Sequence, residues 1–396
     1  MKLLSSMMRQ FVKNGELTVI DVEGNPHVFG PGGEPSATIR LTDKKLYRTL
    51  FLNPELKAGE AYMDGTLICE EGGIRGLLNV FAHNRDGLRG HPLQKALKGT
   101  LKKIRKLHQR NKRTASRSNV QHHYDLSNDF YKLFLDEDLQ YSCAYWPSKD
   151  ISLEEAQRLK KKHIAEKLCL EKGQKVLDIG CGWGGMAIYL AENYGVEVVG
   201  VTLSDEQHAE AVRRVKAAGL DGKVDIRLTD YRDLSENFDR VVSVGMFEHV
   251  GVTHYLEYFS KIKELMTEDG VALIHSIGRK GGPGTTGAWI RKYIFPGGYS
   301  PALSETFTEI EKAKLWVTDC EILRLHYAYT LAEWDKRFQA NRDKAAEMFD
   351  EKFCRMWEFY LVISEFSFLY GKHMNFQIQL TNDVHAAPIT RNYMMD

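Results

Sequence analysis

The stretch "VLDIGCGWGG", Val176 to Gly185, constrains what this chain can fold into more than any other. A hydrophobic strand runs into a turn of bare glycine backbone, and a helical pattern, "GMAIYLAENY", opens directly behind it. Glycine tolerates such a turn and lets a ligand come close to the helix N-terminus. Strand and helix patterns then alternate through "VEVVGVTLS", a helix from Asp205 to Ala218, "VDIRLTD", "FDRVVSVGM" and "VALIHSIG". That alternation predicts an α/β fold around a largely parallel sheet. A long helical region follows and ends in "NFQIQLT", which reads as an edge strand.

The glycine loop also satisfies the dinucleotide pattern GxGxxG, through Gly180, Gly182 and Gly185. Its flanks argue for a different ligand. Asp178 stands two residues before Gly180, where it would repel a pyrophosphate and attract a sulfonium and an amino group. The second strand ends "VTLS", without the carboxylate that holds an NAD ribose. S-adenosylmethionine fits better, with Thr202 and Gln207 placed for its ribose. Asp230 and Tyr231, in "TDYRD", are placed to flank the adenine.

Residues 1–90 mix strand and helix signals and carry no catalytic constellation. A hairpin is expected around Gly24-Asn25-Pro26, then a strand, "ATIRL", and a helix capped by Asp43. This region reads as a small α+β scaffold or lipid-docking domain. Residues 91–120 differ sharply. From Gly87 through Tyr124 there are eleven Lys and Arg and no Asp or Glu. Leu93, Leu97, Leu101 and Ile104 recur at helical spacing, giving a basic amphipathic helix suited to an anionic membrane surface. A solvated interdomain linker is the plain alternative. Residues 121–396 form the catalytic domain.

The net charge of +1 points to no partner. Six cysteines without a CxxC pair read as reduced thiols of a cytosolic protein. "MKLLSSMMRQFVKNG" lacks the apolar run and cleavage site of a signal peptide, and no long uncharged stretch suggests a membrane span. His122 and His123 have no third ligand at convincing spacing, so no metal is expected.

Taken in order, "HHYDLSNDFYKLFLDEDLQYSCAYW", "VLDIGCGWGG", "GVTLSDEQ", "DYRDL", "VSVGMFEHVG", "IHSIG", "WIRKYIFPGG" and "HYAYTLAEW" closely resemble the cyclopropane fatty acid synthases, relatives of the mycolic acid cyclopropane synthases. The similarity extends from about Leu46 to "FQIQL", most of the chain. It implies a Rossmann-like S-adenosylmethionine-dependent methyltransferase domain behind the smaller N-terminal domain. It further implies a bicarbonate ion bound by Cys143, Glu248, His275, the Ile277 backbone and Tyr327. The implied cofactor contacts are Tyr141, Ser142, Gly180, Gly182, Thr202 and Gln207, with Asp230 and Tyr231 at the adenine. The implied reaction moves a methylene group to the cis double bond of an unsaturated phospholipid acyl chain. The implied partners are an anionic bilayer surface and a second copy of the chain, with no nucleic acid. The protein would be cytoplasmic and peripheral to the inner face of the membrane.

An isolated alkene is a poor nucleophile and needs a dry, oriented site to meet a sulfonium methyl. The resulting carbocation can be sheltered by aromatic faces such as Tyr145 and Trp146. A base, bicarbonate on this reading, must then remove a proton so that the ring closes. A hydride shift from the same cation would give a methyl- or methylene-branched chain instead. A small-molecule or nucleic-acid methyltransferase, or a non-catalytic membrane-associated protein with a cofactor fold, are the other classes. Without the resemblance, Cys143 reads as a small hydrophobe, His275 as a satisfied core histidine and Tyr327 as a half-buried tyrosine. Ser364 stands where many of these synthases carry a cysteine, which puts the chemistry at Cys143, Glu248, His275 and Tyr327.

Overall fold

The computed structural model describes residues 1–88 and 126–394, so the basic stretch 91–120 and the pair His122 and His123 lie outside the described residues. These fall into two compact units. The first takes residues 1–88, 285–296 and 331–372, and the second takes 126–284, 297–330 and 373–394.

The first unit holds a four-stranded sheet in the order β2-β1-β3-β4, from β1 (Gly15–Ile20), β2 (Pro26–Gly32), β3 (Ser36–Leu41) and β4 (Leu67–Cys69). The β1–β2 hairpin turns at Gly24, whose φ of 88° suits glycine. Asp21 Oδ1 secures the turn by accepting from the amides of Glu23 (3.0 Å) and Asn25 (2.9 Å). Leu17 and Val19 alternate inward along β1, both fully buried.

This unit is not one run of sequence, and two packing features explain why. Trp289, in the helix Ala288–Tyr293, is buried against Phe359 with ring centroids 4.6 Å apart. Gly59 leaves it room, since a Cβ there would meet the indole at 2.5 Å. Arg75, in the helix Gly73–Leu88, donates to Asp335 (2.9 Å) and Glu365 (2.5 Å). The helix Glu351–Leu369 carries Trp357, Phe359, Tyr360 and Leu361 into this core, as its apolar residues on every face require.

The second unit is a seven-stranded sheet in the order β10-β11-β9-β8-β5-β6-β7. Its strands are β5 (Lys175–Ile179), β6 (Glu197–Thr202), β7 (Val224–Leu228), β8 (Phe238–Val244), β9 (Met266–Arg279), β10 (Trp316–Leu323) and β11 (His373–Thr381). β5 to β9 pair in parallel, and β11 runs antiparallel to both β9 and β10. "NFQIQLT" is therefore an interior strand, not an edge strand. The edge is β10, which the sequence pattern had merged into the helical region. Its amide side chains are buried with it, Asn375, Gln377 and Gln379 all being at most 1% exposed. At the sheet centre Val176, Leu177 and Ile179 are likewise buried. Each aliphatic chain so removed from water contributes about 1.5–3 kcal/mol.

Candidate active site

The site grows from the turn between β5 and the helix Gly185–Tyr194. Gly180 has φ 81° and lies against Met246, whose Cβ would sit 3.1 Å from an added Cβ. At Gly185 an added Cβ would meet Gln140 Nε2 at 2.4 Å and Asp138 Oδ2 at 2.6 Å. The glycines thus bring the segment 138–142 down onto the helix N-terminus. Asp138 is held there by ion pairs to Lys161 and Arg214.

The resulting cavity, about 180 Å³, is lined by all nine residues that the sequence assigned to the cofactor: Tyr141, Ser142, Asp178, Gly180, Gly182, Thr202, Gln207, Asp230 and Tyr231. Thr202 Oγ1 donates to Gln207 Oε1 (3.2 Å), and Ser204 caps the helix Asp205–Ala217 by accepting from the Gln207 amide. Asp230 pairs with Arg232 at 2.6 Å, and Tyr231 packs edge-on against Tyr258. Asp178 is 2% exposed and its Oδ2 has no hydrogen-bond partner among the described residues. Burial, opposed by Lys160, pushes its carboxyl up to about 7. A buried, unpaired carboxylate oxygen in a glycine-lined cavity suits the cationic end of S-adenosylmethionine.

A second polar group is buried close by in the chain. Glu248 Oε1 accepts from the Ile277 amide at 2.7 Å, while its Oε2 has no partner among the described residues. Burial raises the Glu248 carboxyl to about 7 despite that hydrogen bond. His275 and Ile277 share one face of β9. Asn375 and Gln377 stand opposite them on β11, in the register Ile277↔Asn375 and His275↔Gln377. Asn375 lies 2.5 Å from His275 Nε2 and also hydrogen-bonds the Cys143 side chain. Burial pushes the Cys143 thiol far above its usual range, so it stays protonated and is a hydrogen-bonding group, not a nucleophile. Burial likewise drives His275 well below the usual imidazole range, helped by Lys160 and Lys167, and keeps it neutral.

Cys143, Glu248, His275 and Ile277 are thereby tied into this cluster. Tyr327 lies half-buried in the first turn of the helix His326–Ala340, and it is its neighbours in that helix that touch the segment carrying Cys143. His326 Nδ1 accepts from the Trp146 amide, and Thr330 Oγ1 accepts from the Ala144 amide and the Trp146 indole. The segment "YSCAYW" is pinned on both sides, with Tyr141 and Ser142 lining the cavity and Cys143 turned to the polar cluster.

Two further residues of the site were assigned no role from the sequence. Lys160, fully buried, donates to Ser142 Oγ at 2.9 Å and to Gln140, and burial lowers its ammonium to about 8. His249 lines the cavity, and burial lowers it to about 4. Among the described residues no three His, Cys, Asp or Glu side chains form a metal-binding group, and no helix is long and apolar enough to cross a membrane.

The family model of mycolic acid cyclopropane synthetase matches residues 111–378. The cyclopropane-fatty-acyl-phospholipid synthase of Escherichia coli is 40% identical over 333 residues, 83% of this chain and 84% of its own. A probable fatty acid methyltransferase of Pseudomonas putida is 39% identical over 357 residues, 88% of this chain and 87% of its own. The crystal structure of mycolic acid cyclopropane synthase CmaA1 with SAH and CTAB is 34% identical, with a TM-score of 0.63 over 67% of this chain and 97% of that one. With the family model matching residues 111–378 and most of its length shared with these relatives, the chain belongs to the mycolic acid cyclopropane synthetase family of S-adenosylmethionine-dependent methyltransferases.

Proposed function

We propose that this protein adds a methylene group from S-adenosylmethionine across the cis double bond of unsaturated acyl chains in membrane phospholipids. The observation that carries the reading is the buried cluster of Glu248, Ile277, His275, Asn375 and Cys143, in which Cys143 follows the cavity residue Ser142 and Glu248 lies between the cavity residues Met246 and His249. Its unpartnered Glu248 Oε2 and neutral donors fit a small oxyanion.

When bound, S-adenosylmethionine supplies an electrophilic methyl group. With that group bound, the alkene π pair would form the new carbon–carbon bond as the carbon–sulfur bond breaks, and the acyl chain would carry the cation. Bicarbonate, when bound, supplies a small base for one proton of the added methyl group, and the freed electron pair closes the three-membered ring. Asp178 holds the cationic end of the cofactor, and Lys160 fixes Ser142 beside it. Cys143 and His275 are uncharged, so they hydrogen-bond an anion without trapping the carbocation. Glu248 accepts a hydrogen bond from the anion through Oε2.

We further propose that residues 1–90 and the basic stretch 91–120 dock the protein on the anionic cytoplasmic face of the membrane, and that it works as a homodimer. A second product is supported by the similarity to the Pseudomonas putida fatty acid methyltransferase, namely a methylene-branched chain, formed when the same cation shifts a hydride and then loses a proton from the added methyl group; a saturated methyl branch would need a separate reductant.

The test is the fatty acid profile of a bacterium lacking such enzymes, with and without this gene expressed. Upfield ring protons by NMR, on an ester one CH2 heavier than its unsaturated parent, are expected. A branched ester would change the ending, and an unchanged profile from folded, cofactor-binding protein would overturn the reading.

A further inference from the structure

β11 carries a chain of buried amides whose orientation is set from one end. Lys167, with a side chain 1% exposed, donates to Gln377 Oε1 at 2.8 Å and pairs with Glu321. Burial alone would raise the Glu321 carboxyl, but His163 and Lys167 bring it down to about 2. It therefore remains a carboxylate, and it opposes the burial that lowers the Lys167 ammonium. An ammonium only donates, so it fixes the carboxamide of Gln377 with its oxygen toward Lys167. The other end of that carboxamide, Nε2–H, then donates to His275 Nδ1 at 3.1 Å.

A neutral imidazole that accepts at Nδ1 carries its proton on Nε2. Nε2 faces Asn375, whose Nδ2 stands 2.5 Å away and whose Oδ1 has no partner among the described residues; with Nε2 protonated, a half-turn of that carboxamide pairs Nε2–H with Oδ1, and an anion in the site can take the place of that oxygen. We infer that Lys167, acting through Gln377, locks His275 as the Nε2–H tautomer, so that the imidazole presents a donor to the site. This inference rests on the anion-site reading above for its consequence, and on the hydrogen-bond chain alone for the tautomer. Lys167 and Gln377 are positioning residues. Rotating Gln377 would set an amide N–H against the ammonium and a carbonyl against the Nδ1 lone pair. Both contacts are repulsive and both would be buried.

The test is the tautomer of His275 in the full-length protein with labelled histidine, read from ring 15N and 13C shifts and assigned by loss of the signal in His275→Asn. The Nε2–H form is expected in the wild type. In Gln377→Glu the carboxylate accepts from both Lys167 and Nδ1–H, so the tautomer should reverse. Bicarbonate KM should rise about tenfold or more, as loss of an outer-shell orienting partner does at metal sites, with cofactor affinity unchanged. Lys167→Met should give a mixture of tautomers, restored by Lys167→Arg. An Nδ1–H imidazole in the wild type, which needs no variant to fold, overturns the inference, as does an unreversed tautomer in Gln377→Glu. A locked Nε2–H tautomer in an enzyme indifferent to bicarbonate leaves the lock standing and removes the anion site.

Discussion

Glu248 and the Ile277 amide are joined by a 2.7 Å hydrogen bond that consumes one carboxylate oxygen and leaves the other buried and unsatisfied. An unpaired buried oxygen costs about 1–3 kcal/mol, more if charged, unless a ligand completes it. Glu248→Gln keeps an oxygen for Ile277 and turns an NH2 toward the site, where an acceptor is needed. kcat/KM should fall about 100-fold or more, in the range for loss of a positioned proton-handling group. Stability in the absence of ligand should hold or rise, because a costly buried carboxyl is gone. Full activity with undiminished bicarbonate dependence, measured on lipid vesicles, would falsify the role given to Glu248.

Asp178 makes the cofactor site pH-sensitive. Burial raises its carboxyl to about 7, and a cationic ligand favours the ionised form, so binding expels a proton below that pH. S-adenosylmethionine affinity should weaken about tenfold per pH unit below 7 and level off above it. Asp178→Asn should flatten the profile and weaken binding at pH 8 by roughly 10–150-fold, the equivalent of about 1.5–3 kcal/mol. Ligand-free stability moves the other way. The folded carboxyl holds its proton more tightly than an ordinary aspartate does at 3.8, so its contribution to stability falls as pH rises from about 4 to 7. Calorimetric titration and urea unfolding of both proteins across pH 5 to 8 check both signs.

The parallel sheet was readable because its strands are continuous apolar runs and its glycine turn is local chemistry. The polar interior was not. Asn375, Gln377 and Gln379 alternate with apolar residues, which is also the pattern of a half-solvated strand, and their burial shows only in the tertiary structure, where Lys167 at the end of the helix Leu153–Lys167 bonds Gln377 and Gln379. Lys160 and Lys167 sit in "RLKKKHIAEK", where a solvated helix face is the ordinary reading, and their burial is a tertiary fact. Cys143 and His275, read residue by residue, are a small hydrophobe and a core histidine. It took ordered motifs along the chain to single them out, and the structure adds the hydrogen bonds between them.

Gly185 sets two known effects against each other. Alanine in place of a helical glycine adds about 0.8–1.0 kcal/mol of helix propensity. Its Cβ would stand 2.4 Å from Gln140 and 2.6 Å from Asp138, which Lys161 and Arg214 prevent from withdrawing. Overpacking of this kind costs about 1–3 kcal/mol, so the clash wins. Gly185→Ala should lower the urea midpoint and, by displacing Tyr141 and Ser142, weaken S-adenosylmethionine binding. A midpoint above wild type would show that the 138–142 segment yields freely.

Thr330 supplies the remaining restraint on that segment. Its Oγ1 accepts from the Ala144 amide at 3.1 Å and the Trp146 indole at 3.0 Å, and donates to the His326 carbonyl at 2.8 Å. Valine has the same shape and none of these bonds, so Thr330→Val leaves two buried N–H groups unpaired, at about 1–3 kcal/mol each. Unfolding by urea should show that loss. Turnover should fall further than stability alone accounts for, because Cys143 lies between Ser142 at the cofactor cavity and the released Ala144. Thr330→Ser keeps the hydroxyl and should recover most of both. If Thr330→Val turns over like the wild type once its lower stability is allowed for, the segment is held well enough by Lys160, Gln157 and His326, and Thr330 matters only for packing.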